Sequence, residues 1–195
     1  LTALSFYMFT TYFATYLQVA GGLSRATALL VSLLALLFAS LLCPVAGAFS
    51  DKVGRRATVI TACVLLAVVV YPSFLMASSG SFAGSIVGVM LLATGAVLCN
   101  VVTAALLSET FPTRTRYTAS AITYNIAYTI FGGTAPLMAT WLIGMTGSNL
   151  SPAFYLIAVA VLGLIGGLAL PETSKVSLHD VDGALERRQA MHSAA

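Results

Sequence analysis

Charge is scarce in this sequence: only 8% of its 195 residues are Asp, Glu, Lys or Arg, whereas 59% are hydrophobic. Soluble globular domains carry roughly 25% charged residues, so the composition excludes an ordinary soluble domain. The mean hydropathy of +0.97 indicates a chain that folds in a lipid bilayer. In a bilayer each helix needs ~20 mainly apolar residues to cross.

Histidine and cysteine are also scarce, and their positions argue against an enzyme. Both histidines, His179 and His192, lie in the polar C-terminal segment, and the three cysteines fall in apolar segments. An intramembrane protease or metal enzyme needs a general base or metal ligands inside the membrane. The sequence therefore predicts no enzyme, no catalytic residue, no metal site and no cofactor. An odd number of cysteines in a membrane also predicts no disulfide framework.

The uncharged stretches between charged residues predict the number of helices. Residues 1–24 and 26–50 each suffice for one span, whereas 57–108 and 117–171 are each long enough for two spans and a turn. A polar tail, expected to be cytoplasmic and mobile, follows over residues 173–195. We predict an all-α integral membrane bundle over residues 1–172, with helices at about 1–20, 25–49, 57–77, 83–107, 117–143 and 152–170.

The basic residues lie almost entirely on one side of such a bundle. Eight of the nine fall in the loops after the second and fourth predicted helices and in the tail, and only Arg25 lies on the other side. The positive-inside rule therefore predicts that both termini are cytoplasmic. These short basic loops form no continuous patch, so the lipid bilayer is a predicted partner and nucleic acid is not.

The loop after the second predicted helix, GAFSDKVGRR (residues 47–56), holds much of the charge. Gly54 can supply a positive φ for a tight turn, and Asp51 is placed to meet the positive end of a helix dipole. Gly47 can let a neighbouring helix pass close by. Its basic residues, which can anchor in the headgroup zone, are Lys52, Arg55 and Arg56. On charge alone, a basic turn that only sets topology explains the loop equally well.

This loop resembles the signature Gly-x-x-x-Asp-[Arg/Lys]-x-Gly-Arg-[Arg/Lys] of the major facilitator superfamily. In that family it joins the second and third helices of each six-helix half, which is its place here. The matching residues are Gly47, Asp51, Lys52, Gly54, Arg55 and Arg56.

A second stretch, residues 108–137, resembles the connection between the tenth and eleventh helices in one branch of that family, the metabolite:proton symporters. This branch includes carriers for citrate, 2-oxoglutarate, shikimate and proline or betaine. The matching residues are Glu109, Phe111, Pro112, Arg116, Tyr124, Asn125, Gly132, Gly133 and Pro136.

The resemblance implies the C-terminal half of a twelve-helix carrier in the plasma (inner) membrane. Since the chain begins without Met, we expect a piece of a longer protein, whose N-terminal six-helix half is then a missing partner. The implied function is secondary transport of a small metabolite with protons, an organic acid or an osmolyte, by alternating access. The alternatives are a truncated remnant, a half-subunit that needs a separate partner, and, less favoured because no pore motif is visible, a six-helix channel.

The resemblance also implies roles for the polar residues of the spans. The first and fourth helices of a half line its cavity, and the second and fifth lie between halves. The predicted substrate-cavity residues are Tyr12, Tyr16, Asn100 and Thr103; the predicted interface and hinge residues are Asn125, Tyr128, Gly132, Gly133 and Pro136. We expect Asn100 and Asn125 in one layer, ~12 Å from the cytoplasmic edge. For each residue the alternative is an interhelical hydrogen bond of ~0.6 kcal/mol, and for Pro136 a static kink.

The charged residues at the cytoplasmic face suggest a gate. We hypothesise that Asp51, Arg55, Glu109 and Arg116 form a latch whose exposed pairs, worth ~0–1 kcal/mol each, break and reform during transport. Unconnected interfacial anchors are the alternative.

Two glycine-rich stretches, GSIVG (84–88) and GLIGG (163–167), lack the Lys of a phosphate loop and predict close helix contacts.

Overall fold

A computed structural model describes residues 1–111 and 115–170, and its regular structure there is helical throughout. Pro112 and the predicted tail at 173–195 lie outside the described residues. Two of the helices contain a π-helical turn. The helices are α1 (Thr2–Tyr7, the π turn Met8–Tyr12 and Phe13–Val19), α2 (Arg25–Val53), α3 (Arg55–Ala77), α4 (Phe82–Thr110), α5 (Arg116–Ala127, the π turn Tyr128–Gly132 and Ala135–Thr146) and α6 (Ser151–Ala169).

Five of the described helices, α2 to α6, are long and apolar enough to cross a membrane. The first is more polar, and one of its faces packs against neighbouring helices, where Met8, Phe13 and Leu17 are completely buried. A helix covered by its neighbours can carry polar side chains that lipid would disfavour. The all-helical membrane fold agrees with the prediction for five spans, and α1 remains a predicted sixth.

Helix α6 packs against α3, and α5 packs against α1 and α6. Helix α4 packs against α1, α2 and α3 and is the central helix of the bundle. Its buried residues are mostly small, including Gly88, Ala93, Gly95 and Ala96. Inside a membrane small residues let backbones approach, and van der Waals contact replaces the hydrophobic effect. The glycine-rich stretch 84–88 therefore lies in a helix contact, as predicted.

The turn between α2 and α3 is shorter than predicted, because a single residue, Gly54, separates the two helices. Its φ of 99° and ψ of 161° lie in a region that is essentially restricted to glycine. Asp51 lies in the last turn of α2, shortly before Gly54, the N-cap of α3, so its role at the positive end of the α3 dipole stays a prediction. A Cβ built on Gly47 meets nothing within 4 Å among the described residues, so the predicted close approach does not occur within this part of the chain.

Candidate functional site

The two π-helical turns bring α1 and α5 together. The turn Tyr128–Gly132 packs against the first part of α1, and the turn Met8–Tyr12 packs against the last part of α5. At Gly132 the approach is close: a Cβ added there would lie 2.6 Å from Cδ2 of the Tyr7 ring. π-helical turns occur frequently at functional sites, so this junction is a candidate functional site.

Regular α-helical pairing in α5 breaks where the sequence predicted it, ahead of Pro136. The α-helix resumes at Ala135 with Pro136 in its first turn, after the turn residues Gly133 and Thr134. The Thr134 hydroxyl donates to the carbonyl of Ile130, so a side chain satisfies one backbone group at the break. Proline removes a backbone donor, and the missing hydrogen bond accounts for the interruption. A hinge motion at this point remains a prediction.

An open groove runs along this junction, with a volume of about 390 Å³. Ligand pockets in proteins commonly measure ~300–1,000 Å³, so the groove suits a small solute. In the part of the chain that the structure describes, its lining contains hydroxyl, amide and aromatic groups and no charged side chain. The lining residues are Phe6, Tyr7, Tyr124, Asn125, Tyr128, Thr129 and Gly133.

Four rings of this lining form what we call the aromatic cluster: Phe6, Tyr7, Tyr124 and Tyr128. The ring centroids are 5.9 Å apart for Phe6 and Tyr7, and each of these rings lies 6.2 Å from Tyr128. The Tyr124 ring stacks on Tyr128 with a centroid distance of 3.9 Å. Phe6 and Tyr124 are 40% and 42% exposed, so the cluster is open to the groove.

Asn100 connects the aromatic cluster to α4. The Tyr128 hydroxyl donates to Oδ1 of Asn100 at 3.0 Å, and the Asn100 amide donates to the Ala96 carbonyl at 2.8 Å. The Asn125 amide donates to the Ala121 carbonyl of its own helix, and the side chain is exposed at the groove. Asn100 and Tyr128 therefore lie at the same depth in the bundle. Asn125, which was predicted to share the layer of Asn100, lies about one helical turn before Tyr128.

Thr103 connects α4 to α1, because its hydroxyl lies 2.7 Å from the hydroxyl of Thr2. Both threonines line a smaller cavity of about 130 Å³, to which Tyr124 and Tyr128 also contribute. The predicted cavity residues of α4, Asn100 and Thr103, are thus at or next to the groove.

The two predicted cavity tyrosines of α1 lie elsewhere in the bundle. Tyr16 is only 1% exposed, and its hydroxyl lies 3.3 Å from the carbonyl of Phe74 and 3.0 Å from that of Asn149. This geometry favours the interhelical hydrogen bond, and we do not assign Tyr16 to a solute site. Tyr12 shares its face, with ring centroids 6.0 Å apart, and borders a cavity of about 90 Å³ beside Thr140.

Phe6 lines the groove but is not among the site residues predicted from the sequence. As an apolar residue in a predicted span, it has the sequence character of a packing residue or a lipid contact. A signal was nevertheless available in α5, where Tyr124 and Tyr128 are four residues apart and share a helix face. The sequence does not indicate which ring of α1 packs against these two tyrosines.

At the end of the bundle that is predicted to be cytoplasmic, Arg55 is the centre of an ion-pair cluster. Its Nε donates to Oε1 of Glu109 at 2.9 Å, and its Nη1 donates to Oδ1 of Asp51 at 2.7 Å. The same Nη1 donates to the Ser50 hydroxyl at 2.9 Å. One guanidinium thereby joins the last turn of α2, the start of α3 and the end of α4.

The two carboxylates of this cluster differ in their surroundings. The side chains of Arg55 and Glu109 are 15% and 18% exposed, whereas that of Asp51 is 69% exposed. Charge-assisted hydrogen bonds strengthen as water is excluded, so the pair with Glu109 is the stronger of the two.

The remaining charged residues of the predicted motifs are placed around this cluster. Arg56 donates to the carbonyl of Leu168 at 2.7 Å and so connects α3 to the end of α6. Arg116 donates to the carbonyl of Phe111 at 3.0 Å, and Lys52 is exposed. The latch role of Asp51, Arg55, Glu109 and Arg116 remains a prediction.

Comparison with known proteins places these features in a family. The profile of the Major Facilitator Superfamily matches residues 1–192. The chain is 32% identical over 172 residues to the ectoine/proline transporter ProP of Corynebacterium glutamicum, a match that covers 88% of this chain and 34% of the relative. It is 34% identical over 173 residues to the proline/betaine transporter of Escherichia coli strain K12, covering 89% of this chain and 34% of the relative.

A third relative is the glycine betaine/proline/ectoine/pipecolic acid transporter OusA of Dickeya dadantii. It is 32% identical over 177 residues, which cover 91% of this chain and 35% of the relative. The chain therefore spans about a third of the length of the curated relatives that it matches. The match confirms the family predicted from the loop motifs and the prediction that the chain is not an enzyme. The chain belongs to the Major Facilitator Superfamily of membrane transporters.

Proposed function

We propose that the chain is the C-terminal six-helix half of a secondary transporter for small zwitterionic osmolytes of the proline and betaine class. The observation that carries this proposal is the open groove of about 390 Å³ between α1 and α5, lined by uncharged polar and aromatic side chains. The names of the relatives support the solute class, because they include proline, glycine betaine and ectoine transporters.

The exposed surface of α5 supports the presence of a second half. This helix is the least apolar of the five candidate spans and also the least buried. Its first part, Arg116–Ala127, has no buried residue, and Thr123 and Asn125 are exposed. Exposed polar groups are costly in lipid, so we expect another protein surface or a water-filled path along α5.

The resemblance of residues 108–137 to the connection between the tenth and eleventh helices favours the C-terminal half. The gene sequence tests this assignment directly. Six further spans upstream, with a second Gly-x-x-x-Asp loop, are expected; six spans downstream instead would make this chain the N-terminal half. Neither arrangement changes the positive-inside argument for cytoplasmic termini.

In the proposed mechanism the two halves rock about a central site and expose the groove to each side in turn. The hydroxyl of Tyr128 is held by Asn100, and Asn125 and Thr129 add polar atoms to the groove wall. Among the residues that the structure describes, the groove lining contains no carboxylate or histidine. We therefore place the proton-binding group of a coupled carrier, and the cation that meets the carboxylate of the solute, in the other half.

Uptake by the reconstituted carrier tests the proposed function. The full-length protein that contains this chain is placed in proteoliposomes, and labelled proline, glycine betaine, citrate and 2-oxoglutarate are compared with and without an external acid pH gradient. We expect saturable uptake of proline and glycine betaine that the gradient stimulates. Preferential uptake of the organic acids, or no uptake of any of the four, would contradict the proposal.

A further inference from the structure

We propose that the aromatic cluster is the binding site for the substituted ammonium group of the solute, which it holds through cation–π contacts. This inference rests on the proposed function and assigns one end of the zwitterion to this chain. A quaternary ammonium has no N–H to donate, so aromatic faces are the protein surface that suits it best.

The spacing of the rings fits such a group. The centroids of Phe6, Tyr7 and Tyr128 form a nearly equilateral triangle with sides of 5.9, 6.2 and 6.2 Å. A cation above the middle of that triangle can lie within ~6 Å of all three centroids, the distance within which a cation over a ring face is attracted. The interplanar angles of 79°, 53° and 63° show that the rings are inclined to one another and do not form a flat stack.

Three contacts hold the cluster in place before any solute arrives. Tyr124 stacks on Tyr128 with an interplanar angle of 19°, and Asn100 accepts the hydrogen bond of the Tyr128 hydroxyl at 3.0 Å. The Tyr7 ring rests on the flat surface that Gly132 leaves by having no Cβ. Rings that are already oriented lose little entropy when they bind, which favours affinity.

No carboxylate of the described residues is placed to bind the ammonium group, so the aromatic rings are the groups that can attract it. The acidic side chains in residues 1–111 and 115–170 are Asp51 and Glu109, and both are held by Arg55 at the cytoplasmic end. The groove lining itself has no acidic side chain. Among the described residues, a cationic group in the groove therefore meets ring faces and neutral oxygens, and not a carboxylate.

The test compares two molecules of the same shape. Glycine betaine carries a trimethylammonium group, and 3,3-dimethylbutanoate carries a carbon in place of that nitrogen. Each competes with labelled proline for uptake into proteoliposomes that contain the full-length carrier, and the ratio of the two half-inhibitory concentrations measures the preference for positive charge. We expect the wild-type carrier to prefer glycine betaine by about tenfold, the equivalent of a cation–π contact of ~1.4 kcal/mol.

Phe6→Leu removes an exposed ring and keeps an apolar side chain, and it should lower this preference about two- to fivefold. Phe6→Tyr keeps the ring and should retain the preference. Phe154→Leu is the matched control, because this ring is 59% exposed on α6 and lies 5.9 Å from Tyr71, outside the groove lining. Both inhibitors act on the same vesicles, so the amount of inserted protein cancels from the ratio.

The outcomes separate this inference from the proposed function. Uptake of proline with a lowered preference in Phe6→Leu, and an unchanged one in Phe154→Leu, supports the assignment. Uptake of proline with the wild-type preference in both Phe6→Leu and Tyr128→Leu overturns the assignment and leaves the proposed function in place. A wild-type carrier that takes up neither proline nor glycine betaine overturns both.

Discussion

Glu109→Gln is expected to destabilise the end of the bundle where α2, α3 and α4 meet by about 1.5–3 kcal/mol, the range for hydrogen bonds to charged groups. The carboxylate of Glu109 accepts from Nε of Arg55 at 2.9 Å, and both side chains are more than four-fifths buried. Gln removes the negative charge and leaves the guanidinium short of a counter-charge in a place with little water. Thermal or denaturant unfolding in detergent measures the loss of stability.

Asp51→Asn is the matched control, since the same guanidinium is also bound to Asp51 at 2.7 Å. The Asp51 side chain is 69% exposed, and exposed pairs are worth only ~0–1 kcal/mol. We therefore predict a smaller loss of stability in Asp51→Asn than in Glu109→Gln. A loss of stability in Asp51→Asn as large as that in Glu109→Gln would show that burial does not decide the strength of this cluster.

The same pair of variants examines the proposed latch. If the cluster stabilises one conformation of the transport cycle, Glu109→Gln should shift the equilibrium toward the other. A shift of ~1.4 kcal/mol changes that equilibrium about tenfold, so proline uptake should fall far more in Glu109→Gln than in Asp51→Asn. Equal uptake rates in the two variants would favour a purely structural role for the cluster.

Gly88→Ala is expected to destabilise the bundle by about 1–3 kcal/mol through overpacking. A Cβ built on Gly88 would lie 2.6 Å from the carbonyl oxygen of Ser73 and 3.2 Å from the amide nitrogen of Ala77. These are backbone atoms of α3, so no side-chain rotation relieves the contact. The helices must move apart, and α4 loses contact with the helix it packs against most extensively.

Gly166→Ala provides the control for the change of residue type. Gly166 lies within α6, and a Cβ built there meets nothing within 4 Å. Alanine is the better helix former by roughly 0.5–1 kcal/mol, so Gly166→Ala should be neutral or slightly stabilising. The melting temperatures of the two variants in detergent decide the matter. Equal melting temperatures would mean that the contact at Gly88 is not tight.

The helices themselves were largely predictable from the spacing of charges, because lipid tolerates few charged residues within a span. Their ends were less so. Helix α2 was predicted over 25–49 and extends to Val53, and α4 was predicted over 83–107 and extends to Thr110. The apolar pattern marks the part of a helix that can cross hydrocarbon, whereas the helices continue through the polar and charged residues that follow: α2 ends at Val53 and α4 at Thr110.

The site was predictable only in part, for a different physical reason. Polar residues in a span must find partners, and this rule selects Asn100 and Thr103, predicted for the cavity, and Tyr128, predicted for the interface between halves. All three lie at or next to the groove. The rule equally selects Tyr16, whose partners turned out to be backbone carbonyls elsewhere. The rule states that a partner exists and leaves its identity open. The π turn in α1 adds to this uncertainty, because an extra residue changes which face points toward α5.

Thiol labelling at Thr129 tests most directly whether the groove between α1 and α5 is the path of the solute. In a full-length carrier without its native cysteines, Thr129→Cys places a thiol in the groove lining, and Leu137→Cys places one on a 69% exposed position of the same helix, outside that lining. We predict that a water-soluble thiol reagent modifies Thr129→Cys much faster than Leu137→Cys and that saturating glycine betaine slows only the first reaction. Equal labelling of both positions, or labelling of Thr129→Cys that glycine betaine does not change, would contradict a solute path through this groove.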